Sequence, residues 1–138
     1  MFKRILLAVD GSEHSIKATD YAITIAQKFD GAVEAVYVVD TETMRRDALE
    51  ADDKQEIERM HKGRMETFRR RIDEGMITLW THILHGDPGP TIVKFAEEEK
   101  FDTIVIGNRG LNPLQSAILG SVSQYVAKRA HCDVIIVK

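Results

Sequence analysis

"FDTIVIGNRGLNPLQSAILGSVSQYVAKRAHCDVIIVK", residues 101–138, holds two apolar runs separated by a glycine-bearing loop and a short helical pattern. "FDTIVIG" and "CDVIIVK" are rich in β-branched residues and bounded by turn residues, as strands buried in a sheet are. "SVSQYVAKRA" between them has the length and composition of a short helix. Strand, helix and strand in that order form a crossover unit, which pairs its two strands in parallel.

The same order recurs upstream. "KRILLAV" at 3–9 is a short, continuously apolar strand followed by the polar turn "DGSEHS". From Ser15, the residues Ile16, Ala18, Tyr21, Ala22, Ile25, Ala26 and Phe29 keep helical spacing as far as "DG" at 30–31, where a glycine is expected to stop the helix. "AVEAVYVVD" at 32–40 reads as a second strand and "ITLWTHILHG" at 77–86 as a third, with Trp80 expected in the core. "DPGP" then opens a helix through "TIVKFAEEE", its proline placed where a first turn tolerates it. In the charged segment 42–75, Ile57, Met60, Met65, Phe68 and Ile72 form one apolar stripe, which predicts an amphipathic helix in the second half and a looser lead-in before it. The stripe is too short to argue for a coiled-coil arm. Four strand-then-helix units and a last strand predict an α/β fold with a parallel sheet, as one domain over 1–138.

Lysine and arginine number 19 against 22 aspartates and glutamates, a net charge of −3, so the chain carries no general electrostatic footprint for nucleic acid. No apolar run approaches the roughly 20 residues of a membrane-spanning helix. "MFKRILLAVDG" is interrupted by Asp10 too early for a signal peptide. The single cysteine, Cys132, cannot form an internal disulfide, which fits a reducing compartment. A soluble, cytoplasmic protein without membrane insertion is expected.

In open parallel sheets, ligands bind beyond the carboxyl ends of the strands, where the strand order reverses. If the first strand lies centrally beside the fourth, "DGSEHS" and "GNRG" share that crevice. Gly107 ends the fourth strand, Gly110 follows after two residues, and Gly120 after a further nine, with Ser121 and the last helix directly behind it. Glycine permits close backbone approach, and a helix N-terminus offers unpaired N–H groups and a partial positive charge to an anion. Singly, these glycines are explained by a strand end, a turn and a helix cap; together they point to a phosphate chain. The hydroxyls of Ser121 and Ser123 would be further donors. Neither Gly-x-x-x-x-Gly-Lys-Ser/Thr nor a Gly-x-Gly-x-x-Gly after a strand occurs, which excludes a P-loop nucleotidase and a dinucleotide-binding dehydrogenase.

The spacing Gly107-x-x-Gly110, nine residues, then Gly120-Ser121 resembles the ATP-binding signature of the universal stress protein family. The resemblance spans essentially the whole chain: "KRILLAVDGSEHS" is similar to that family's opening strand and turn, "VYVVD" to its second strand, "HGDP" to the start of its third helix, and "GSVSQYVAKRAHCDVIIVK" to its ending. It implies a Rossmann-like, five-stranded parallel sheet in the order 3-2-1-4-5, flanked by helices on both faces, that binds ATP with Mg2+ at its carboxyl edge. Carried over by position, Asp10 and the main chain of Ala8 and Val9 would lie against the ribose and adenine side, and Val38 would meet the adenine. Ile106, Gly107, Arg109 and Gly110 would line the ribose and first phosphates. Gly120, Ser121, Val122 and Ser123 would hold the phosphate chain. The chain departs from the family at "LNPL", 111–114, where glycines are common and Pro113 would stiffen the loop.

The resemblance also implies a homodimer in which the terminal strands pair across a two-fold axis. "CDVIIVK" suits this independently, because an apolar edge strand left open is an aggregation hazard and pairing with its twin removes the edge. Assembly beyond the dimer and an unidentified protein partner, such as a membrane transporter, are further expectations.

Phosphoryl transfer needs in-line positioning of a nucleophile and cations to neutralise developing charge. The loop has no lysine, Arg109 is its only candidate cation, and the lone carboxylate of Asp10 could touch Mg2+ without making a metal site. The expected role is therefore a nucleotide-dependent regulator or sensor in a stress response, with no catalytic residue. The alternative is a slow ATPase or nucleotide hydrolase of the related adenine-nucleotide superfamily, whose Ser-Gly-Gly-x-Asp-Ser is replaced here by "VDGSEHS". His82 and His85 lie three apart on a strand, so they face opposite ways and cannot share a metal. His14 lies near the expected crevice, within reach of a ligand, but is expected on a solvated loop; His61 and His131 are expected on the surface, and Cys132 as a small core residue.

Overall fold

The computed structural model describes residues 1–50, 54–74, 79–109 and 119–138. The elements run β1 (Arg4–Ala8), α1 (Glu13–Phe29), β2 (Ala32–Val39), α2 (Thr41–Glu50), α3 (Lys54–Glu74), β3 (Leu79–His85), α4 (Pro88–Glu98), β4 (Thr103–Gly107), α5 (Ser121–Arg129) and β5 (Asp133–Val137). All four strand pairings are parallel, in the order β3-β2-β1-β4-β5. This is the expected order.

Strand alternation sorts the core into two layers. Ile5, Leu7, Val33, Ala35, Tyr37 and Val105 point to the side covered by α1, through Ala18, Ala22 and Ala26, and by α3, through Met65 and Ile72. Leu6, Ala8, Val36, Ile104 and Ile106 point to the opposite side, against Ile92 and Ala96 of α4 and Val126 of α5. Right-handed crossovers require this division: stepping out from β1 to β3 puts the helices on one face, and stepping back to β4 and β5 puts them on the other. The reversal falls between β1 and β4, where Ala8 is in register with Ile106. In open parallel sheets such a reversal is where a ligand crevice forms at the carboxyl edge.

Three expectations change. The lead-in at 41–50 is helical as α2, so the charged segment forms two helices rather than one. The helix α1 ends on Asp30, which takes the left-handed C-cap conformation at φ 54°, and not on Gly31. Trp80 is 66% exposed, because β3 is an edge strand with neighbours on one side only. Of the stripe in α3, Met65 and Ile72 are buried and Ile57 is half-buried. The side chains of Met60, His61 and Phe68, together with Gly110 and 111–114, lie outside the described residues.

Candidate functional site

The turn after β1 is closed by its own side chains. Gly11, at φ 83°, takes the left-handed conformation that lets the chain reverse directly into α1. The Ser12 N–H donates to Asp10 Oδ1 at 2.9 Å, the Ser15 N–H to Ser12 Oγ at 3.2 Å, and the Asp10 N–H to Ser15 Oγ at 3.1 Å. Ser12 is thus the N-cap of α1, satisfying one of the donors a helix start leaves open. Sequence reasoning misses Ser12 and Ser15, although a serine just ahead of an apolar helical pattern is an N-cap signal and would have found Ser12.

The loop after β4 is tied to two other elements. Its Asn108 N–H donates to Val137 of β5 at 2.7 Å, and the Asn108 main-chain oxygen accepts from the Gly120 N–H at 2.8 Å and from Ser123 Oγ at 2.8 Å. Ser12 Oγ reaches the Arg109 oxygen at 3.5 Å, linking the first turn to this loop. The ends of β1 and β4 and the start of α5 are thereby brought together at one corner of the sheet.

At that corner α5 starts on Gly120 without a side-chain cap. The first-turn N–H groups of a helix have no intrahelical acceptor, and the positive end of the helix dipole adds to their pull on an anion. A Cβ on Gly120 would lie 3.0 Å from the Asn108 oxygen and 3.3 Å from Arg109 Cα, so glycine is what lets loop and helix start approach. Gly107 is required differently: a Cβ there would sit 2.8 Å from the carbonyl carbon of His14, so its bare backbone receives α1. His14 therefore belongs to the first turn of α1, packed on β4, rather than to a solvated loop.

Ala8, Val9 and Ile106 are buried, and Val38 and Val122 are half-buried; Val9 packs in the layer under α1 and α3, the other four in the layer under α4 and α5. Asp10 and Arg109 are half-buried, and Ser121 is exposed. Ser123 is buried and spends its proton on Asn108, so it braces the loop from inside. Asn108, which sequence reasoning also misses, is 7% exposed, and its Oδ1 has no hydrogen-bond partner among the described residues. Nothing in the sequence distinguishes it from an ordinary loop asparagine.

The other chemical groups lie elsewhere. His82 Nε2 hydrogen-bonds Glu34 Oε2 at 2.9 Å, while His85 is exposed, in keeping with their alternation along β3. Burial would raise the Glu34 carboxyl, but hydrogen bonds from Arg4 and His82 outweigh it and hold the group below the usual carboxylate range. His131 stands exposed, 3.7 Å from Glu97. Cys132 is half-buried, and burial, with the nearby charges of Asp133 and Asp102, pushes its thiol up, the opposite of what a nucleophile needs. Among the described residues, no group of three or more histidine, cysteine or acidic side chains could hold a metal, and no helix is long and apolar enough to cross a membrane.

Comparison with known proteins gives consistent matches. The sequence profile described as the universal stress protein family matches residues 1–138. A universal stress protein of Methanocaldococcus jannaschii is 36% identical over 143 residues, covering 100% of this chain and 83% of that protein. The solved structure of the universal stress protein UspA from Lactobacillus plantarum superposes with a TM-score of 0.84 at 29% identity, covering 99% of this chain and 98% of that one. A universal stress protein solved in complex with cAMP superposes with a TM-score of 0.73 at 25% identity, covering 99% of this chain and 96% of that one.

Proposed function

Because this chain belongs to the universal stress protein family, we propose that it binds ATP with Mg2+ at the carboxyl edge of its sheet and acts as a nucleotide-dependent regulator in a stress response. The observation that carries this reading is the uncapped start of α5 at Gly120, held beside the ends of β1 and β4. An ionised phosphate chain is the chemical group that such a helix start favours. Asp10 and the main chain of Ala8 and Val9 would meet the ribose and base, with Val38 against the adenine. Ile106, Gly107, Arg109 and Gly110 would line the ribose and first phosphates, and Gly120, Ser121 and Val122 the rest of the chain. Ser123 would act by bracing this cradle. The relative solved with cAMP supports an adenine nucleotide as the ligand class.

Regulation rather than turnover fits the site, since Arg109 is the one cationic side chain assigned to it beside the Mg2+ and no residue is assigned to position a nucleophile in line, which phosphoryl transfer requires. Half-buried Val134, Ile135 and Ile136 on the edge strand β5 support a homodimer paired through that strand, which we place in the cytoplasm from the sequence expectation alone. Its nucleotide state would be read by a protein partner such as a transporter or a signalling protein.

Native mass spectrometry of the full chain, alone and with ATP and Mg2+, tests this. The expected species is a dimer carrying one intact ATP per chain, with binding lost in a folded Gly120→Val variant. A dimer that stays empty at millimolar ATP would make the loop purely structural. Accumulating bound ADP or AMP, once a contaminating enzyme is excluded, would support the hydrolase instead.

A further inference from the structure

Ser15 begins the buried face of α1, ahead of Ala18, Ala22 and Ala26, and is itself 4% exposed. A hydroxyl in such a place is costly unless it is hydrogen-bonded. Two bonds meet at this residue, and they serve different ends. Its main-chain N–H donates to Ser12 Oγ at 3.2 Å, the N-cap bond of α1, which any residue but proline could make. Its side-chain Oγ accepts from the Asp10 N–H at 3.1 Å, which only a residue with an acceptor can do. The cap of the helix therefore does not depend on the Ser15 hydroxyl, whereas the placement of Asp10 does.

Asp10 lies just past β1. The Val9 N–H is held by Val36 of β2 at 3.0 Å, but the Asp10 N–H is held by a side chain, that of Ser15. Gly11 then takes φ 83°, and the Ser12 N–H closes back on Asp10 Oδ1 at 2.9 Å. Asp10 is thus fixed twice, its main chain by Ser15 and its carboxylate, through one oxygen, by Ser12. An ionised carboxyl keeps acceptor sites to spare after one such bond. It meets a ligand in a direction set before the ligand arrives, and such preorganisation raises affinity by removing ordering that binding would otherwise require.

We propose that Ser15 is a positioning residue of the nucleotide site, holding the Asp10 main chain so that its carboxylate is set against the nucleoside before binding. Ser15 acts through Asp10 and not by touching the ligand. This rests on the reading of the carboxyl edge as a nucleotide site with Asp10 on its ribose and base side.

The test is a double-mutant cycle on the full chain, titrating wild type, Ser15→Ala, Asp10→Ala and the double variant with ATP and Mg2+. Ser15→Ala keeps the N-cap bond and should bind ATP about fivefold more weakly than wild type, the scale of one hydrogen bond. Asp10→Ala should lose at least as much, and the double variant should bind like Asp10→Ala alone. A purely structural serine would lower affinity equally in both backgrounds, and that additivity overturns the proposal. So does wild-type affinity in Ser15→Ala or in Asp10→Ala, with ATP binding left intact. If Ser15→Ala does not fold, amide hydrogen exchange of the wild type decides: the Asp10 N–H should be protected before nucleotide is added, and free exchange there overturns the proposal. A wild type that binds no ATP overturns the nucleotide reading itself, and this inference with it.

Discussion

Ser123 Oγ donates to the main-chain oxygen of Asn108 at 2.8 Å, joining the first turn of α5 to the end of β4 across 15 residues of sequence. The same hydroxyl lies 3.2 Å from the Gly120 oxygen. Ser123→Ala leaves Asn108 its bond from Gly120, so the cost should be that of one buried hydrogen bond, about 1 kcal/mol. Thermal melting should show Tm lowered by about 3 °C, while Ser121→Ala, at an exposed position, should stay within about 0.5 kcal/mol of wild type. Equal effects at the two serines would remove the bracing role of Ser123.

Two glycines make opposite predictions. Gly107→Ala forces a methyl against His14 at the junction of α1 and β4, and should destabilise by about 1–3 kcal/mol in a denaturant titration. Gly63 lies in α3, where an added methyl would meet nothing within 4 Å, so Gly63→Ala should stabilise by up to about 1 kcal/mol through helix propensity.

At the end of α1, Asp30 bears the left-handed strain that glycine would carry at little cost. Asp30→Gly should therefore stabilise by up to about 1 kcal/mol. Gly31→Ala should do the reverse, because the new Cβ would fall on the Phe2 carbonyl oxygen. A loss of about 3 kcal/mol or more is expected there, the scale of a severe backbone clash. Denaturant midpoints of the two variants, moving in opposite directions, are the check.

Asp102 Oδ2 accepts from the N–H groups of Lys3 and Arg4 at 2.8 and 3.0 Å, and Oδ1 from the Thr103 hydroxyl at 2.9 Å. Burial raises this carboxyl, but the bonds outweigh it and hold the group below its ordinary value of 3.8. A folded-state value below the unfolded one means stability that is fully present above the unfolded value and is lost as pH falls through the folded one. Glu34, likewise held below its ordinary 4.5, adds to the same loss. Stability should therefore decline on acidification below about pH 4.5, and Asp102→Asn should be less stable than wild type at pH 7 with a shallower decline in acid. Parallel acid-stability curves for the two proteins would show that Asp102 contributes nothing to it.

The sequence by itself determined the class of fold and is the source of the proposed place of the site. Apolar strand patterns alternating with helices leave a parallel sheet as the way to bury both strand faces, and the glycine spacing from Gly107 to Gly120 marks one corner of it. The order of the strands entered through family resemblance, since handedness alone does not select one. Other features were decided by the tertiary structure, because they depend on residues distant in sequence. Gly107 is set by the approach of His14, Gly31 by Phe2, and Ser123 by Asn108. Trp80 is exposed on β3, which has no outer neighbour among the described strands, a fact of strand order that no local pattern carries. Asn108 is held by main-chain bonds to Val137 of β5 and to Gly120 and Ser123 at the start of α5, so its burial depends on elements distant in sequence. Local patterns report which surface a residue prefers to bury; the burial of one particular polar atom depends on which elements meet there.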